Sequence, residues 1–399
     1  MKHCDIIGIS DRRNQLFNEE VTSIISKGKV FSGGKRHHEI MEKYLPAESI
    51  WIDITVPLTN VFESYRNFDD IVIFASGDPL FYGFASTVQR ECPECDIKVY
   101  PWFNSLQMLA HRMNIPYQDM HVVSLTGRTW DKFDEELIQG TELIGCLTDR
   151  NKTPNEIWKR MTEYGYDNYT MTVGENLGNE DDEQVGEFCP DKVYAVPNCL
   201  ILRKKTNRVR PFGIPEQDFH LLNGRANMIT KMPIRLLVLS MLELRDKTSF
   251  WDVGFCTGSV SIEAKLQFPH LKVTAFEVRE EGRELMARNS RKFGTPGITA
   301  LIGDFLEQDI SSCTPPDSVF IGGHGGKLKE IVKKIKTVMT ADCCIVFNSV
   351  SEESRRLFEE AVAEAGHDSM QVVSCTRMAI DDHNPIYIMK ARVNAVSSK

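Results

Sequence analysis

Short apolar runs alternate with amphipathic runs along almost the whole chain, and this alternation limits the possible folds more than any other feature. Residues 5–9, 71–75 and 249–253 are apolar runs of strand length. Residues 81–90 and 106–113 instead carry apolar side chains three and four positions apart, as one face of a helix does. Parallel strands need a long crossover, which a helix usually provides. The sequence therefore predicts an α/β fold with largely parallel sheets.

The alternation is interrupted at residues 204–219. This segment, KKTNRVRPFGIPEQDF, is basic and contains two prolines, so we interpret it as a linker between domains. A chain of 399 residues is long enough for two domains, and we place them at residues 1–205 and 206–399. At the end of the second domain, residues 371–378 and 386–392 are predicted to be two antiparallel edge strands.

Charge and cysteine content exclude several classes of protein. The formal net charge of −9 argues against nucleic-acid binding, because neutralising phosphates requires a basic surface. No apolar run approaches the roughly 20 residues of a membrane span, and the N-terminal residues do not resemble a signal peptide. The 11 cysteines lack the spacing of a zinc site or a disulfide framework. We expect a cytoplasmic protein with reduced thiols that binds no metal, nucleic acid or membrane.

The segment FWDVGFCTG at residues 250–258 is the most informative motif of the second half. It joins a predicted strand to a predicted helix through a loop of small residues, whose glycines let the backbone turn tightly and approach a ligand. The G-x-G-x-x-G fingerprint of dinucleotide sites is absent. The candidate cofactor-binding residues of this motif are Asp252, Gly254, Phe255, Cys256, Thr257 and Gly258.

Two later strand ends agree with a nucleoside site. Glu277 follows Asp252 by 25 positions and ends the next predicted strand, where a carboxylate can accept the hydroxyls of a ribose. Gly303 and Asp304 follow the third strand and would lie beside the adenine. A tight turn without a ligand remains the alternative interpretation.

The segment FIGGHGGK at residues 320–327 places four glycines after another strand. Backbone N–H groups of such a loop could bind a carboxylate, so Gly322, Gly323, Gly325 and Lys327 are candidate substrate-binding residues. His324 is the candidate catalytic residue, as a proton donor or an anion contact, although a plain loop histidine is an equal alternative.

The first half has its own strand-end turn, Ser76–Gly77–Asp78–Pro79, within ASGDPLFYG. Such a turn can offer backbone amides and a carboxylate to a ligand, but alone it is more often structural. The segment SGGKRHH at residues 32–38 collects four potentially cationic side chains. A solvated basic turn is the alternative for that segment.

The second-half motifs resemble the decarboxylating C15-methyltransferases of cobalamin biosynthesis. The resemblance covers residues 211–391 and depends on WDVG, TGSVSIEA, GIPEQDF, MITKMPIR and VFIGGHGGKL together. It implies a Rossmann-like class I sheet that binds S-adenosylmethionine, with Thr230 helping to close over the cofactor. One departure is Cys256, which stands where the family has the middle glycine of the loop.

The first half resembles the tetrapyrrole methylases, in particular the C5-methyltransferases of cobalamin biosynthesis. GGKRHHE, ASGDPLFYG, NSLQMLAHRMNIPYQDMHVVSLTGR and VGENLG carry the resemblance, which covers residues 1–203. It implies a two-lobed α/β/α module with the cofactor in the cleft between lobes. The residues it implies are Gly77, Asp78, Pro79, Ser105 and Leu147 for the cofactor, and Lys35, Arg36 and His37 for substrate carboxylates. The glycine-rich loop usual after the first strand is replaced by residues 8–12, GISDR.

Together the two resemblances imply a bifunctional enzyme with one S-adenosylmethionine per domain. We expect it to methylate C5 and C15 of precorrin-6B or its cobalt form and to decarboxylate the ring-C acetate, as a homo-oligomer. The alternatives are methylation of another tetrapyrrole and a protein that senses S-adenosylmethionine without turnover. Further candidates for holding substrate carboxylates are Arg128, Arg150, Lys231, Arg235 and Arg377.

Overall fold

The computed structural model describes residues 1–223, 225, 227–364, 370–380 and 384–393. Within these residues the chain forms three sheets. It divides into two compact units, one comprising residues 1–128, 142–159 and 169–205, the other residues 129–141, 160–168 and 206–399. The predicted α/β class is confirmed. No helix in the described ranges has the length and apolar character of a membrane span.

The first sheet is entirely parallel, with strand order β3-β2-β4-β1-β5. Consecutive residues of its strands enter different apolar clusters, Ile6 and Ile73 on one face and Ile7 and Phe74 on the other. Both faces are therefore buried, as expected where helices cover a parallel sheet. Its elements are β1 (His3–Ile9), α1 (Glu19–Lys27), β2 (Val30–Gly33), α2 (Lys35–Met41), β3 (Ile50–Asp53), α3 (Leu58–Tyr65), β4 (Asp70–Ser76), α4 (Phe84–Glu91) and β5 (Asp96–Tyr100).

The second sheet has the order β6-β7-β10-β8-β9. The prediction of largely parallel sheets is wrong here, because β10 is antiparallel to β7 and β8, and β8 is antiparallel to β9. Residues 176–197 contain no helix that could act as a crossover, so the strands on either side pair by reversing direction. The elements of this part are α5 (Ser105–Met113), β6 (His121–Ser124), α6 (Asp131–Gln139), β7 (Leu143–Leu147), α7 (Pro154–Glu163), β8 (Tyr169–Glu175), β9 (Gln184–Glu187) and β10 (Asn198–Lys204).

The third sheet has the order β13-β12-β11-β14-β15-β17-β16, and its first five strands are parallel. The expected Rossmann-like sheet is confirmed. The prediction of two edge strands is half wrong, since the strand Ile386–Val393 lies between β15 and β16. The elements are α8 (Met232–Leu242), β11 (Ser249–Val253), α9 (Ser259–Gln267), β12 (Lys272–Glu277), α10 (Glu281–Phe293), β13 (Ile298–Ile302), β14 (Ser318–Ile321), α11 (Leu328–Lys336), β15 (Cys344–Ser349), α12 (Glu352–Glu364), β16 (Met370–Met378) and β17 (Ile386–Val393).

The central strand β11 fixes where a ligand can bind on this sheet. Phe250 packs into the apolar cluster on the α8 and α9 side, and Trp251 into the cluster on the α11 and α12 side. From β11 the chain runs to β12 and β13 on one side, and then returns to β14 on the other side. Such a reversal leaves a crevice at the carboxyl ends of the two adjacent strands.

Candidate functional site

A cavity of about 650 Å³ lies at the carboxyl ends of β11, β12 and β14, and we call it the Gly254 cavity. Thr257 and Gly258 do not line it, since they belong to the turn that leads into α9. Arg235 and Arg377 do not line it either. The remaining residues predicted from the second half do line it: Thr230, Lys231, Asp252, Gly254, Phe255, Cys256, Glu277, Gly303, Asp304, Gly322, Gly323, His324, Gly325 and Lys327.

Gly254 brings the first loop against the glycine loop that follows β14. Its φ is +79°, and a Cβ at this position would lie 2.7 Å from the backbone nitrogen of Gly323. A side chain is therefore excluded both by conformation and by space. The two loops predicted separately from the sequence form one wall of the cavity.

Cys256 has a φ of +51°, in the left-handed region that glycine adopts without cost. This explains why a glycine suits the position, at which the family has the middle glycine of the loop. The Cys256 thiol donates a hydrogen bond to the carbonyl oxygen of Met228 at 3.0 Å. The side chain thus contacts residues 227–231, a segment that lines the Gly254 cavity and that we call the strap.

Arg235 is not a substrate contact, and that prediction is wrong. Its side chain is completely buried and pairs with the equally buried carboxylate of Glu263 at 2.5 Å. It also donates to the carbonyl oxygens of Thr230, at 2.8 Å, and of Ile214. Arg235 therefore tethers the strap to α9, and a buried charge needs such a set of partners.

Two carboxyl groups lie at the base of the cavity. Both oxygens of Glu277 accept hydrogen bonds, from the backbone nitrogen of Cys256 at 2.9 Å and from Arg279 at 2.8 Å. Burial raises the pKa of Asp252 to about 7, although the hydroxyl of Ser261 donates to its Oδ2 at 2.6 Å. Asp252 Oδ1 is buried and has no hydrogen-bond partner among the described residues.

The glycine loop holds His324 in one tautomer. The backbone N–H of Gly326 donates to His324 Nδ1 at 3.1 Å, so the proton of the neutral ring is on Nε2. Burial lowers the pKa of His324, which favours that neutral form. Beside it, Lys327 Nζ lies 2.7 Å from Asp304 Oδ2. The loop therefore offers one uncharged donor and one cation that is already paired.

A second cavity, of about 560 Å³, lies at the carboxyl ends of β1 and β4 within the other compact unit, and we call it the Gly77 cleft. Five of the residues predicted for the first half line it: Arg36, His37, Gly77, Ser105 and Leu147. Lys35, Asp78 and Pro79 do not. The carboxylate of Asp78 accepts from the backbone nitrogen of Leu80 at 2.9 Å and so stabilises the turn itself.

Gly77 lies where three backbone segments meet. Its nitrogen donates to the carbonyl oxygen of Ile9 at 2.8 Å, and its carbonyl oxygen accepts from the nitrogen of Trp102 at 3.2 Å. Its φ is +62°, and a Cβ would lie 2.8 Å from the Cα of Asn104. Asn104 caps α5 through hydrogen bonds with Gln107 in both directions.

The segment SGGKRHH is not a plain solvated turn, because it ends β2 and begins α2. His37 is neutral, since burial, followed by the charge of Arg36, lowers its pKa to about 4. Its Nε2 lies 2.9 Å from Ser76 Oγ, which also accepts from Arg36 at 3.0 Å. Of the cations predicted to bind carboxylates here, only Arg36 brings a charge to the lining of the cleft.

Sequence reasoning missed several residues of the Gly77 cleft. Tyr82 and Phe103 line it, and each is 47% exposed. The available signal was the presence of an aromatic residue next to each of the motifs GDP and NSLQ, although the sequence does not show that these side chains are exposed. Ser10 and Asp11, from the segment GISDR that replaces the usual glycine-rich loop, also line the cleft. Other lining residues that were not among the predicted site residues are Met108, Thr126, Thr148, Leu177 and Cys199.

Both cavities fit a nucleoside cofactor. Their volumes lie within the range of about 300–1,000 Å³ that is usual for small-molecule sites. The Gly254 cavity contains two buried acceptors without a partner among the described residues, Asp252 Oδ1 and Asn348 Oδ1. The Gly77 cleft combines a backbone turn with the hydroxyl of Ser105 and the apolar side chains of Met108 and Leu147. No group of metal-ligating side chains occurs in the part of the chain that the structure describes.

Comparison with known proteins connects both cavities to one family. The model of the tetrapyrrole (corrin/porphyrin) methylases matches residues 1–188, and the model of the precorrin methyltransferase domain matches residues 223–389. A precorrin-6Y C(5,15)-methyltransferase (decarboxylating) of Sinorhizobium sp is 27% identical over 92% of this chain and 89% of its own length.

Two shorter relatives of Salmonella typhimurium each match less than half of the chain. A cobalt-precorrin-6B C(15)-methyltransferase (decarboxylating) is 32% identical over 43% of this chain and 85% of its own length. A cobalt-precorrin-7 C(5)-methyltransferase is 24% identical over 44% of this chain and 86% of its own length. The resemblance stated from the sequence is thereby confirmed, and the chain belongs to the family of the precorrin-6Y C(5,15)-methyltransferases (decarboxylating).

Proposed function

We propose that the chain is a bifunctional methyltransferase of cobalamin biosynthesis that acts on precorrin-6B or its cobalt form. The half that contains the Gly254 cavity methylates C15 and decarboxylates the ring-C acetate, which releases CO2 and leaves a methyl group on the ring, and the half that contains the Gly77 cleft methylates C5. The observation that carries this proposal is the presence of two separate cavities, one in each half matched by a methyltransferase family model.

S-adenosylmethionine supplies an activated methyl group to each site. In the Gly254 cavity the residues that would hold it are the loop at Gly254 and Cys256, Glu277, and the pair Gly303 and Asp304. The carboxylate of Glu277 can accept about four hydrogen bonds and uses three within the protein, which leaves capacity for a ribose hydroxyl. Thr230 closes this site from the strap.

In the Gly77 cleft the residues that would hold the cofactor are Gly77, Ser105 and Leu147. The backbone of Gly77 is fixed by its bonds to Ile9 and Trp102, so this turn is rigid before a ligand arrives. Rigid placement matters because aligning the reacting groups can contribute about 7–11 kcal/mol to catalysis. Neither methylation then needs a strong protein base.

Decarboxylation places a different demand on the Gly254 cavity. The conjugated ring can take up the electron pair that the departing CO2 leaves, so the protein has to orient the acetate and exclude water. The Nε2–H of His324 and the backbone N–H of Gly325 are donors suited to hold that carboxylate, whereas the N–H groups of Gly322 and Gly323 already donate to the carbonyl oxygen of Val253. Lys327 binds the same carboxylate when its ammonium group leaves Asp304 and pairs with the substrate instead.

We further propose that the protein works in the cytoplasm as a homo-oligomer and needs neither nucleic acid nor a membrane. The net charge of −9 supports the first exclusion. The corrinoid substrate class follows from the family of the relatives.

The test is incubation of the full chain with precorrin-6B, with and without cobalt, and S-adenosylmethionine, followed by mass spectrometry. We expect a product that has gained two methyl groups and lost CO2. A protein that binds the donor but leaves the corrinoid mass unchanged would be a sensor, and the proposal would be wrong. Turnover of a different tetrapyrrole in the same assay would show that the acceptor is misidentified.

A further inference from the structure

We propose that Ser76, Tyr82 and Arg128 hold the corrinoid acceptor at the Gly77 cleft. Ser76 and Arg128 bind ring carboxylates, and the ring of Tyr82 packs against the flat face of the macrocycle. The inference rests on the proposed C5 methylation and adds the residues that place the acceptor. All three residues belong to the same compact unit.

The hydroxyl of Ser76 is oriented by its two neighbours. The backbone N–H of Gly34 donates to His37 Nδ1 at 3.3 Å, so the proton of neutral His37 is on Nε2. Ser76 Oγ therefore accepts from His37 Nε2 at 2.9 Å and from Arg36 at 3.0 Å. Both of its lone pairs are in use and neither neighbour can accept its proton. That proton is left free to bind an acceptor in the cleft, which Ser76 lines.

Tyr82 is held in an unfavourable conformation with its ring half exposed. Its φ is +53°, which a bulky residue rarely adopts, and its side chain is 47% exposed at the lining of the cleft. Phe103, also 47% exposed, lines the same cleft. A strained backbone and exposed aromatic side chains occur together in proteins at sites where a ligand covers them. An aromatic ring beside a cleft suits a flat conjugated macrocycle.

Arg128 provides charge at the edge of this aromatic surface. Its guanidinium carbon lies 4.7 Å from the centre of the Tyr82 ring, and no acidic side chain of the described residues pairs with it. The loop that carries it is fixed, because the backbone N–H of Gly127 donates to Asp149 Oδ2 at 2.9 Å. Stacking leaves the N–H groups at the guanidinium edge free for a carboxylate.

The charges of the cleft favour an occupant with carboxylates at its periphery. Arg36 already faces Asp11, with 3.3 Å between Arg36 Nε and Asp11 Oδ1, so its charge is largely compensated. Arg128 does not line the cleft itself but stacks on its lining residue Tyr82. Arg128 and the hydroxyl of Ser76 are two donors without a carboxylate partner among the described residues. A corrinoid precursor combines a flat apolar face with acetate and propionate groups at its edge, and so matches this arrangement.

The test compares steady-state kinetics of C5 methylation by the full chain and its variants. Tyr82→Asn removes the ring but suits a positive φ, so it should fold at least as well as the wild type. We expect its KM for the corrinoid to rise about tenfold with kcat nearly unchanged, whereas Tyr82→Phe stays within about twofold. Ser76→Ala and Arg128→Gln should each raise the same KM about five- to tenfold.

Three controls separate acceptor binding from other effects. Affinity for S-adenosylhomocysteine and the melting temperature should stay unchanged in every variant. C15 methylation by the same polypeptide is the internal control, and Arg90→Gln, on the exposed pair with Glu91, is the matched loss of a cation. Corrinoid KM values within twofold of wild type in all three variants would overturn the inference and leave the proposed function standing. A wild-type protein without C5 methylation would overturn both.

Discussion

Asp252, at the base of the Gly254 cavity, is a buried carboxyl group whose protonation state is altered by folding. It is fully buried at the end of β11, and its Oδ2 accepts from Ser261 on α9. One hydrogen bond does not replace the solvation that a carboxylate has in water, so the protonated form is favoured and the pKa rises to about 7. Folding therefore stabilises the protonated group.

This raised pKa predicts how the stability of the chain depends on pH. The contribution of Asp252 is fully present below its unfolded pKa of 3.8 and is lost as the pH rises through about 7. Asparagine has the shape of the protonated Asp252 side chain but does not titrate, so Asp252→Asn should remove this loss of stability. The difference between the two pKa values corresponds to at most about 4 kcal/mol in the free energy of unfolding. Urea unfolding of both proteins at pH 5 and pH 8 measures the difference. Asp246→Asn, at an exposed position, is the control, and equal pH dependence of wild type and Asp252→Asn would contradict the prediction.

The sequence could predict residue types at this scale but not their partners. The motif around residues 250–258 located Asp252 and Cys256 correctly at a cavity. The bonds to Ser261 and to the Met228 carbonyl depend on segments 9 and 28 residues away, whose approach no local pattern encodes. For the same reason Tyr82 was overlooked, since its exposure follows from the backbone conformation and not from its neighbours in sequence.

At the scale of elements, a buried ion pair between α8 and α9 supports the strap over the Gly254 cavity. Arg235 on α8 binds Glu263 on α9 and, in addition, the carbonyl oxygens of Thr230 and Ile214. A basic residue shortly after a helix start is usually exposed, and the sequence therefore favoured a substrate contact. Only the packing of α8 against α9 shows that no solvent reaches it.

Arg235→Met should destabilise the second half strongly, because it leaves the Glu263 carboxylate buried without its cation. We expect a loss of about 3–5 kcal/mol in the free energy of unfolding, together with weaker binding of S-adenosylhomocysteine as the strap loosens. Denaturant unfolding and calorimetry measure the two effects. Arg283→Met is the matched control, since its pair with Glu280 is exposed and should contribute less than about 1 kcal/mol.

A double variant separates the effect of the unpaired Glu263 carboxylate from the effect of the lost tether. Replacing both members, Arg235→Met with Glu263→Met, removes the stranded charge and should recover most of the stability. The donor affinity should stay low in the double variant, because the tether to Thr230 is still missing. A single variant as stable as the wild type would show that the ion pair does not hold the strap.

Elements with a clear period were predicted close to their observed bounds, and the others were not. The observed bounds of β4, α5 and β11 lie within one residue of the predicted ranges 71–75, 106–113 and 249–253, because each is a buried run or a regular amphipathic run. The direction of strand pairing is a long-range property, so the antiparallel pairs of the second sheet and the inserted position of β17 could not be read from local periodicity.

At the scale of the whole molecule, the chain has two cavities in two compact units, each next to a glycine with positive φ. Titration calorimetry with S-adenosylhomocysteine should therefore give two molecules per chain. Gly77→Arg and Gly254→Arg should each reduce that number to one, since a side chain at either position meets backbone atoms within 2.8 Å.

The control for this experiment is Gly186→Arg on β9, where a Cβ would meet nothing within 4 Å. It should leave two binding events and an unchanged melting temperature. A wild-type stoichiometry of one, with the other cavity empty at saturation, would refute the prediction of independent sites. Loss of both binding events in either glycine variant, with the fold intact, would refute it as well.

The thiol of Cys256 has a consequence for an enzyme that handles activated methyl groups. A thiolate in such a cavity would compete with the corrinoid for the methyl group. Its methylation would give a thioether and inactivate the site. Burial and then the charge of Glu277 raise the pKa of Cys256 to about 11, so at neutral pH only about one thiol in ten thousand is ionised. Its proton is also bound to the Met228 carbonyl. The protein can thus keep a cysteine beside its methyl donor without alkylating itself.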